Sequence, residues 1–335
     1  ADTNVSQAIA QRIQLRYAKA AAYWQKAAAL LPEDKKQERS LCLHEAGYDL
    51  DRVSRHSEAL PLYEQSLAIN REIGDKKQEG VTLNNISQIY YARGDYTTAL
   101  RYLEQSLGIC GEISDKKQEG VTLNNISQIY YARGDYTTAL TYLEQSLVIR
   151  REIGDKAGEG TTLNSISLIY DARGDYSTAL TYLEQSLGIS REIGNKAGEG
   201  ATLNNISGIY HARGDYSTAL TYLEQSLGIS REIGDKAGEG ATMNNIATAA
   251  YAKGDYATAL KYLEQSLVIF RETGSKAQEA VTSWNIGRMY EKQGDLRRAE
   301  PYISRAVQLA EELGHPQLEE WREALADVRA EIRGR

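Results

Sequence analysis

Apolar residues recur along this chain at three- and four-residue steps, in runs that come in pairs. In "VTLNNISQIYYARGDYTTALRYLEQSLGI", which begins at Val81, the residues Leu83, Ile86, Ile89 and Tyr90 line one face of a helix. After "RGDY" a second face follows, carrying Ala99, Leu100, Leu103, Leu107 and Ile109. Each unit therefore predicts two amphipathic helices. The unit returns after forty residues, and Val81–Gly120 differs from Val121–Gly160 at only seven of forty positions. Such a period makes the chain one repeat array rather than several globules.

Boundary signals agree with the pairing. Gly94 can adopt the left-handed conformation that closes a first helix, and Asp95 can cap the next. Second helices end near Gly74, Gly154, Gly194 and Gly234, each followed by Asp or Asn. "DKKQ" at Asp75 and Asp115, and "SKAQ" at Ser275, have the spacing of a capping box. Arg93, Arg133, Arg173 and Arg213 fall just before a glycine, where a cation complements the helix dipole.

The run Leu83, Ile86, Ser87, Tyr90, Gly94, Asp95, Tyr96, Ala99, Leu103, Ser106 resembles the tetratricopeptide repeat (TPR), and that frame covers essentially the whole chain. Ala59, Ala99, Ala139, Ala179, Ala219, Ala259 and Ala299 match the small residue that this family places where two helices touch. Pro32 matches its closing proline. The forty-residue period is similar to the long-helix variant of kinesin light chains, LGN-type adaptors and bacterial signalling proteins. The resemblance implies an all-α, right-handed superhelical solenoid of about eight antiparallel helix pairs plus a C-terminal capping helix. Residues 1–335 form a single domain in that reading: a degenerate repeat over 1–38, tandem repeats over 39–314 and the cap over 315–335. Leu318, Trp321, Leu325, Val328 and Ile332 give the cap an inner stripe, and Ile9, Ile13, Tyr17 and Trp24 are expected to close the other end. Ala250 and Leu50 stand where other repeats have Tyr, which predicts looser joints there.

Composition adds exclusions. The net charge is −7 without a basic block, which argues against nucleic acid as partner. No apolar run approaches the ~20 residues that span a bilayer, so no membrane partner is expected. Cys42 and Cys110 sit at unrelated repeat positions, which suits a reducing cytoplasm better than a bridge. The chain opens at Ala1 without Met, which leaves room for processing or for a segment of a longer protein.

No catalytic pattern emerges, and no enzyme activity, cofactor or metal is expected. "HEAGY" at His44 lacks the second His of a zinc-protease helix. "GDKAGEG" lacks the Walker lysine spacing, and His44, His56, His211 and His315 share no repeat position. Glu104, Glu144, Glu184, Glu224 and Glu264 recur without a second carboxylate at helical spacing, as a solvated face would.

A binding surface is the better candidate. In a stacked array the first helix of each pair lines the concave side. Its recurring Asn is unfavourable inside a helix and asks for a reason. A carboxamide both donates and accepts, so it can grip a peptide backbone; the resemblance implies that role for Asn85, Asn125, Asn205, Asn245 and Asn285. Asn84, Asn124, Asn164, Asn204 and Asn244 stand beside this column, and an interior ladder between repeats is the alternative for both. Ser165 interrupts the column. One turn on, the repeats diverge: Gln88 and Tyr91, Gln128 and Tyr131, then Asp171, His211, Tyr251 and Arg288, with Trp284 as an aromatic anchor. The expected partner is a protein or peptide segment held in this groove. Two alternatives stand beside it: the sensor arm of a larger bacterial effector carrying a CHAT protease or STAND-type ATPase, and self-association of the array.

Overall fold

The structure is a computed structural model that describes residues 1–14 and 16–334. Its described residues form seventeen helices and no strand. By contact the chain divides into two compact units, Ala1–Gln185 and Ser186 onward, with the boundary inside one helix.

The first unit holds α1 (Asp2–Ile13), α2 (Tyr17–Leu30), α3 (Lys36–Asp51), α4 (His56–Ile73), α5 (Lys76–Ala92), α6 (Tyr96–Ile113), α7 (Lys116–Ala132), α8 (Tyr136–Glu152) and α9 (Lys156–Ala172). It ends within α10 (Tyr176–Glu192). The second unit continues with α11 (Lys196–Ala212), α12 (Tyr216–Glu232), α13 (Lys236–Ala252), α14 (Tyr256–Thr273), α15 (Lys276–Lys292), α16 (Leu296–Leu313) and α17 (Leu318–Gly334). Odd- and even-numbered helices pair as hairpins, and α17 is left over to close the end.

One turn design makes the hairpins. Gly94 takes φ 75°, Asp95 N–H donates to Tyr90 O (2.9 Å) and Gly94 N–H to Tyr91 O (2.9 Å), a Schellman closure of α5. The same Asp95 then accepts from Thr98 N–H (3.0 Å) and opens α6. The capping boxes form only by half. Asp115 Oδ1 accepts from Gln118 N–H (3.0 Å), but Asp115 N–H is committed to Cys110 O (3.0 Å), so no Gln side chain is needed there. Ser275 makes no cap bond at all, because its hydroxyl meets Thr273 Oγ1 at 3.0 Å.

Ser114 sits where α4, α8, α10, α12, α14 and α16 end on glycine and holds φ 56°. A side chain in that region costs about 1 kcal/mol. Ser114→Gly is therefore expected to raise stability by roughly 0.5–1 kcal/mol, read as a higher urea midpoint; an unchanged midpoint would show that the turn is not strained.

Packing follows the alanine column. Ala59, Ala99, Ala139, Ala179, Ala219, Ala259 and Ala299 are all fully buried, each letting a second helix lie close against its first. Beside them the tyrosines stack: Tyr90 on Tyr102 at 5.5 Å, Tyr130 on Tyr142 at 5.6 Å, Tyr290 on Tyr302 at 5.9 Å. Ala250 offers Tyr262 no ring, and a cavity opens nearby, described below. Each second helix also packs on the next hairpin's first helix, and α3, α5, α7 and α9 touch in succession, forming one layer of the first unit. Trp321, Leu325 and Val328 of α17 are buried, with Leu318 and Ile332 packed beside them.

The N-terminal closure differs from expectation. Trp24 is buried, but Ile9 and Ile13 are 46% and 77% exposed. Helix α1 docks instead through Ala8 against the alanines of α2, a small-residue contact that turns both isoleucines outward.

Candidate functional site

The two carboxamides of each pair have different fates. Asn84 is buried, donates from Nδ2 to Ser106 Oγ (2.6 Å) and Thr122 Oγ1 (2.9 Å), and accepts at Oδ1 from Asn125 (2.9 Å). One side chain thus ties α5 to α6 and α7. Asn204 repeats this with Ser226 (2.6 Å), Thr242 (3.0 Å) and Asn245 (3.2 Å), and Asn244 donates to Thr282 (2.9 Å). Asn124 is buried as well. Asn84 and Asn124 are thus buried, whereas Asn204 and Asn244, half-buried, spend N–H groups on neighbouring helices; a helix turns about 100° per residue, which sets the first Asn of each pair on a different side from the second. Asn164, in the same register, is half-buried.

Two of the second asparagines, Asn125 and Asn245, are anchored and still accessible. Asn125 gives one N–H to Asn84, and Asn245 gives one to Asn204, which fixes each carboxamide while its oxygen stays unspent in that bond. In the first unit Asn85, Gln88, Tyr91, Asn125, Gln128, Tyr131 and Asp171 occupy the α5–α7–α9 layer, all half-buried except Tyr131 at 36% exposure. Tyr91 leans on Tyr96 at 5.7 Å and Tyr131 on Tyr136 at 5.5 Å. Burial holds the Asp171 carboxyl above its usual range. In the second unit Asn205, His211, Tyr251, Trp284, Asn285 and Arg288 are half-buried and Asn245 is exposed. His211 leans on Tyr216 (5.2 Å), and Trp284 is stacked on Trp321 of α17 (4.8 Å) with Arg288 over its ring (5.4 Å).

At the N-terminal end of the ladder His44 takes the place of the first Asn. Thr82 gives its proton to Gln78 O (2.8 Å), so it can only accept from His44 Nδ1–H (3.1 Å); Nε2 then accepts from Asn85 (3.1 Å). Burial lowers the His44 pKa, Glu45 opposing and Arg12 assisting. The unfolded chain therefore takes up a proton at higher pH than the folded one. Stability is complete above the ordinary histidine value of about 6.5 and declines as pH falls from there toward the lower folded value. His44→Asn, which restores the repeat's own residue, is expected to flatten the urea-midpoint profile between about pH 5 and pH 7; an unchanged slope would refute a His44 held neutral by burial.

A further charged column escaped the sequence reading. Glu159, Glu199, Glu239 and Glu279 are buried beside Arg151 (2.8 Å), Arg191 (2.8 Å), Arg231 (2.9 Å) and Arg271 (3.3 Å). The arginine recurs eight residues before its glutamate, across the turn. At Gly111 it is missing, and Glu119 is left with Lys116 alone and is more exposed than the others. Burial pushes Glu159 up, but the hydrogen bonds from Arg151 and Lys156 outweigh it and hold the carboxyl low. These pairs clip hairpins together. Arg133 and Arg173 do likewise, each donating to the preceding hairpin at Thr97 and Thr137 (both 3.3 Å).

Among the described residues no group of His, Cys, Asp and Glu could hold a metal, and no helix is long and apolar enough to cross a membrane.

A family model described as tetratricopeptide repeat matches residues 47–112, 118–192 and 198–272, and a second with the same description matches 244–313. The chain belongs to the tetratricopeptide repeat family. Solved TPR-like structures share its all-α repeat fold. A Rap protein complexed with Competence and Sporulation Factor is 13% identical, covers 99% of this chain and 98% of its own, and has a TM-score of 0.61. The Rap conjugation gene regulator of plasmid pLS20, in complex with the Phr* peptide, is 14% identical with coverage of 94% and 96% and a TM-score of 0.62. A STAND signal-transduction ATPase with a tetratricopeptide repeat sensor, from Pyrococcus horikoshii, is 18% identical over 97% of this chain, with a TM-score of 0.63; the alignment spans 48% of that protein. At these identities the likeness is one of fold. No curated protein matches the sequence.

Proposed function

We propose that this TPR array is a protein-interaction scaffold whose first helices hold an extended segment of another protein. The observation that carries the reading is the anchored, accessible carboxamide: Asn125 and Asn245 are each oriented by one bond to the preceding hairpin and keep an acceptor oxygen for a partner backbone. Each such bond contributes about 0.5–1.5 kcal/mol, so several hairpins act together. Gln88, Gln128, Tyr91 and Tyr131 supply the variable contacts that select the sequence. The Rap conjugation gene regulator, whose structure is in complex with the Phr* peptide, supports a peptide as ligand class.

Partner affinity is expected to fall at least tenfold in Gln88→Ala plus Gln128→Ala, on the basis of ~1 kcal/mol per lost polar contact, and to stay unchanged in Gln145→Ala plus Gln185→Ala on the second helices. Equal affinities for both double variants would refute the assignment.

A second reading follows from the STAND protein, in which a tetratricopeptide repeat sensor accompanies an ATPase. There the bound segment is a signal, and the output domain lies elsewhere in the polypeptide. The gene's full reading frame decides between a free scaffold and a sensor arm.

A further inference from the structure

The carboxamide ladder of the second unit breaks at one step. Asn245 donates to Asn204, but the equivalent bond from Asn285 to Asn244 is not made: Asn244 Oδ1 is buried without a partner, and the Asn285 carboxamide makes no hydrogen bond among the described residues. Where the step fails, α13, α14 and α15 line an open cavity of about 350 Å³. Its floor is Ala247, Leu263 and Met289; Thr248, Tyr251, Trp284, Asn285, Arg288 and Lys292 stand around it. In sequence the lining differs from other repeats at Ala247, which stands where Ser87 and Ser127 occur.

The rim is cationic. Arg288 is paired with Glu291 at 2.5 Å, but Lys292 meets the Tyr251 hydroxyl (2.5 Å) and ring (5.1 Å) and has no carboxylate partner among the described residues. The cavity volume lies at the small end of the ~300–1,000 Å³ typical of ligand pockets, and apolar floors with few placed polar groups are their common form.

We propose that this pocket is a specificity site for an internal apolar–acidic residue pair: the apolar side chain fills the floor, Asn285 grips its backbone, and the adjacent Asp or Glu carboxylate pairs with Lys292. This rests on the reading that the first helices hold an extended segment. Asn245 and Asn285 lie on successive first helices, so a segment spanning both crosses the pocket in mid-chain; its carboxylate is a side chain, not a C-terminus.

The chain contains two methionines, Met243 and Met289, so selective ¹³C-methyl labelling gives one probe in the pocket and one in a neighbouring core as control. Titrants are acetylated, amidated Gly-Ser octapeptides carrying Leu-Glu, Leu-Gln or Ala-Glu at the centre, and a Leu-terminated peptide with a free carboxylate. The full chain is used throughout. With Leu-Glu the Met289 signal is expected to shift saturably while Met243 stays still. Leu-Gln and Ala-Glu should bind about fivefold or more weakly, the size expected for one charged contact or one buried side chain. Lys292→Gln should erase the preference for Glu over Gln, and Asn285→Ala should weaken both peptides alike. A silent Met289, equal binding of Leu-Glu and Leu-Gln, or tighter binding of the free-acid peptide would each overturn the proposal. If Met289 stays silent while Gln88→Ala plus Gln128→Ala still weakens the partner, only the pocket falls. If Met289 responds but that double variant has no effect, the pocket stands and the face reading falls.

Discussion

Replacing Arg12 with alanine is expected to cost about 3 kcal/mol at neutral pH, the low end for breaking a buried ion pair, and to release α1 before any other helix. Arg12 donates through Nε to Asp49 Oδ1 (2.7 Å), pairs with Glu45 at 2.6 Å, and lies over Trp24 and Tyr48 at 5.5 and 5.4 Å. Asp49 has no exposed side-chain surface, while Arg12 keeps about a quarter of its own. Removal strands a carboxylate where water cannot reach it. The pH dependence identifies the cause. Burial already raises the Asp49 pKa, outweighing the Arg12 contacts that lower it; without Arg12 it rises further. A carboxylate raised on folding costs stability above its folded pKa and stops costing as it protonates. The penalty should therefore shrink as pH falls, and Asp49→Asn in the same background should recover much of it. Hydrogen exchange along α1 and α3 at two pH values reads both effects. A penalty independent of pH would mean that Arg12 acts only by packing.

The second large effect separates two asparagines that are forty residues apart in nearly identical repeats. Asn84→Leu is expected to lower stability by about 2–3 kcal/mol, whereas Asn124→Leu should be neutral or stabilising. Loss of the Asn84 carboxamide leaves Ser106, Thr122 and Asn125 each short of a partner. The Asn124 carboxamide makes no hydrogen bond among the described residues, and its Oδ1 is buried without a partner. Two neighbours account for this. Arg150 donates to Ser146 Oγ (3.3 Å), the position at which Ser106 accepts from Asn84, and Ser165 turns back to Thr161 O (3.2 Å) instead of reaching Asn124 as Asn125 reaches Asn84. Exchanging an unsatisfied buried amide for an apolar side chain of similar size removes a penalty. Urea unfolding, with hydrogen exchange across α5 to α7 to localise the loss, provides the comparison. Equal penalties at both positions would show that the ladder carries no specific energy.

The hairpins were legible because their signals are local. Glycine before Asp, alanine at the crossing and apolar steps of three and four each act within a few residues, and Gly94, Asp95 and Ala99 do what their types dictate. The direction of the carboxamides was not legible. Asn84 and Asn85 are consecutive in one helix, and only the Ser and Thr brought by α6 and α7 decide which of them is consumed. Ile9 and Ile13 were misplaced for a similar reason: hydrophobicity suggested burial, but Ala8 gives α1 the closer approach to α2. The buried Glu column could have been found from the arginine eight residues earlier and its loss at Gly111, a correlation across a turn that helical periodicity does not reveal. Trp284 was expected as an aromatic anchor; its stacking on Trp321 and its place beside a broken ladder were not legible, because the absence of a bond leaves no mark in sequence.

The most direct measurement places a photo-crosslinking phenylalanine at Gln128 on α7 and, separately, at Gln145 on α8, in the full chain bound to its partner. Crosslinks from position 128 to one short stretch of partner, with none from 145, are the expected result. Crosslinks from 145 alone, or equally from both, would contradict a ligand-bearing face on the first helices.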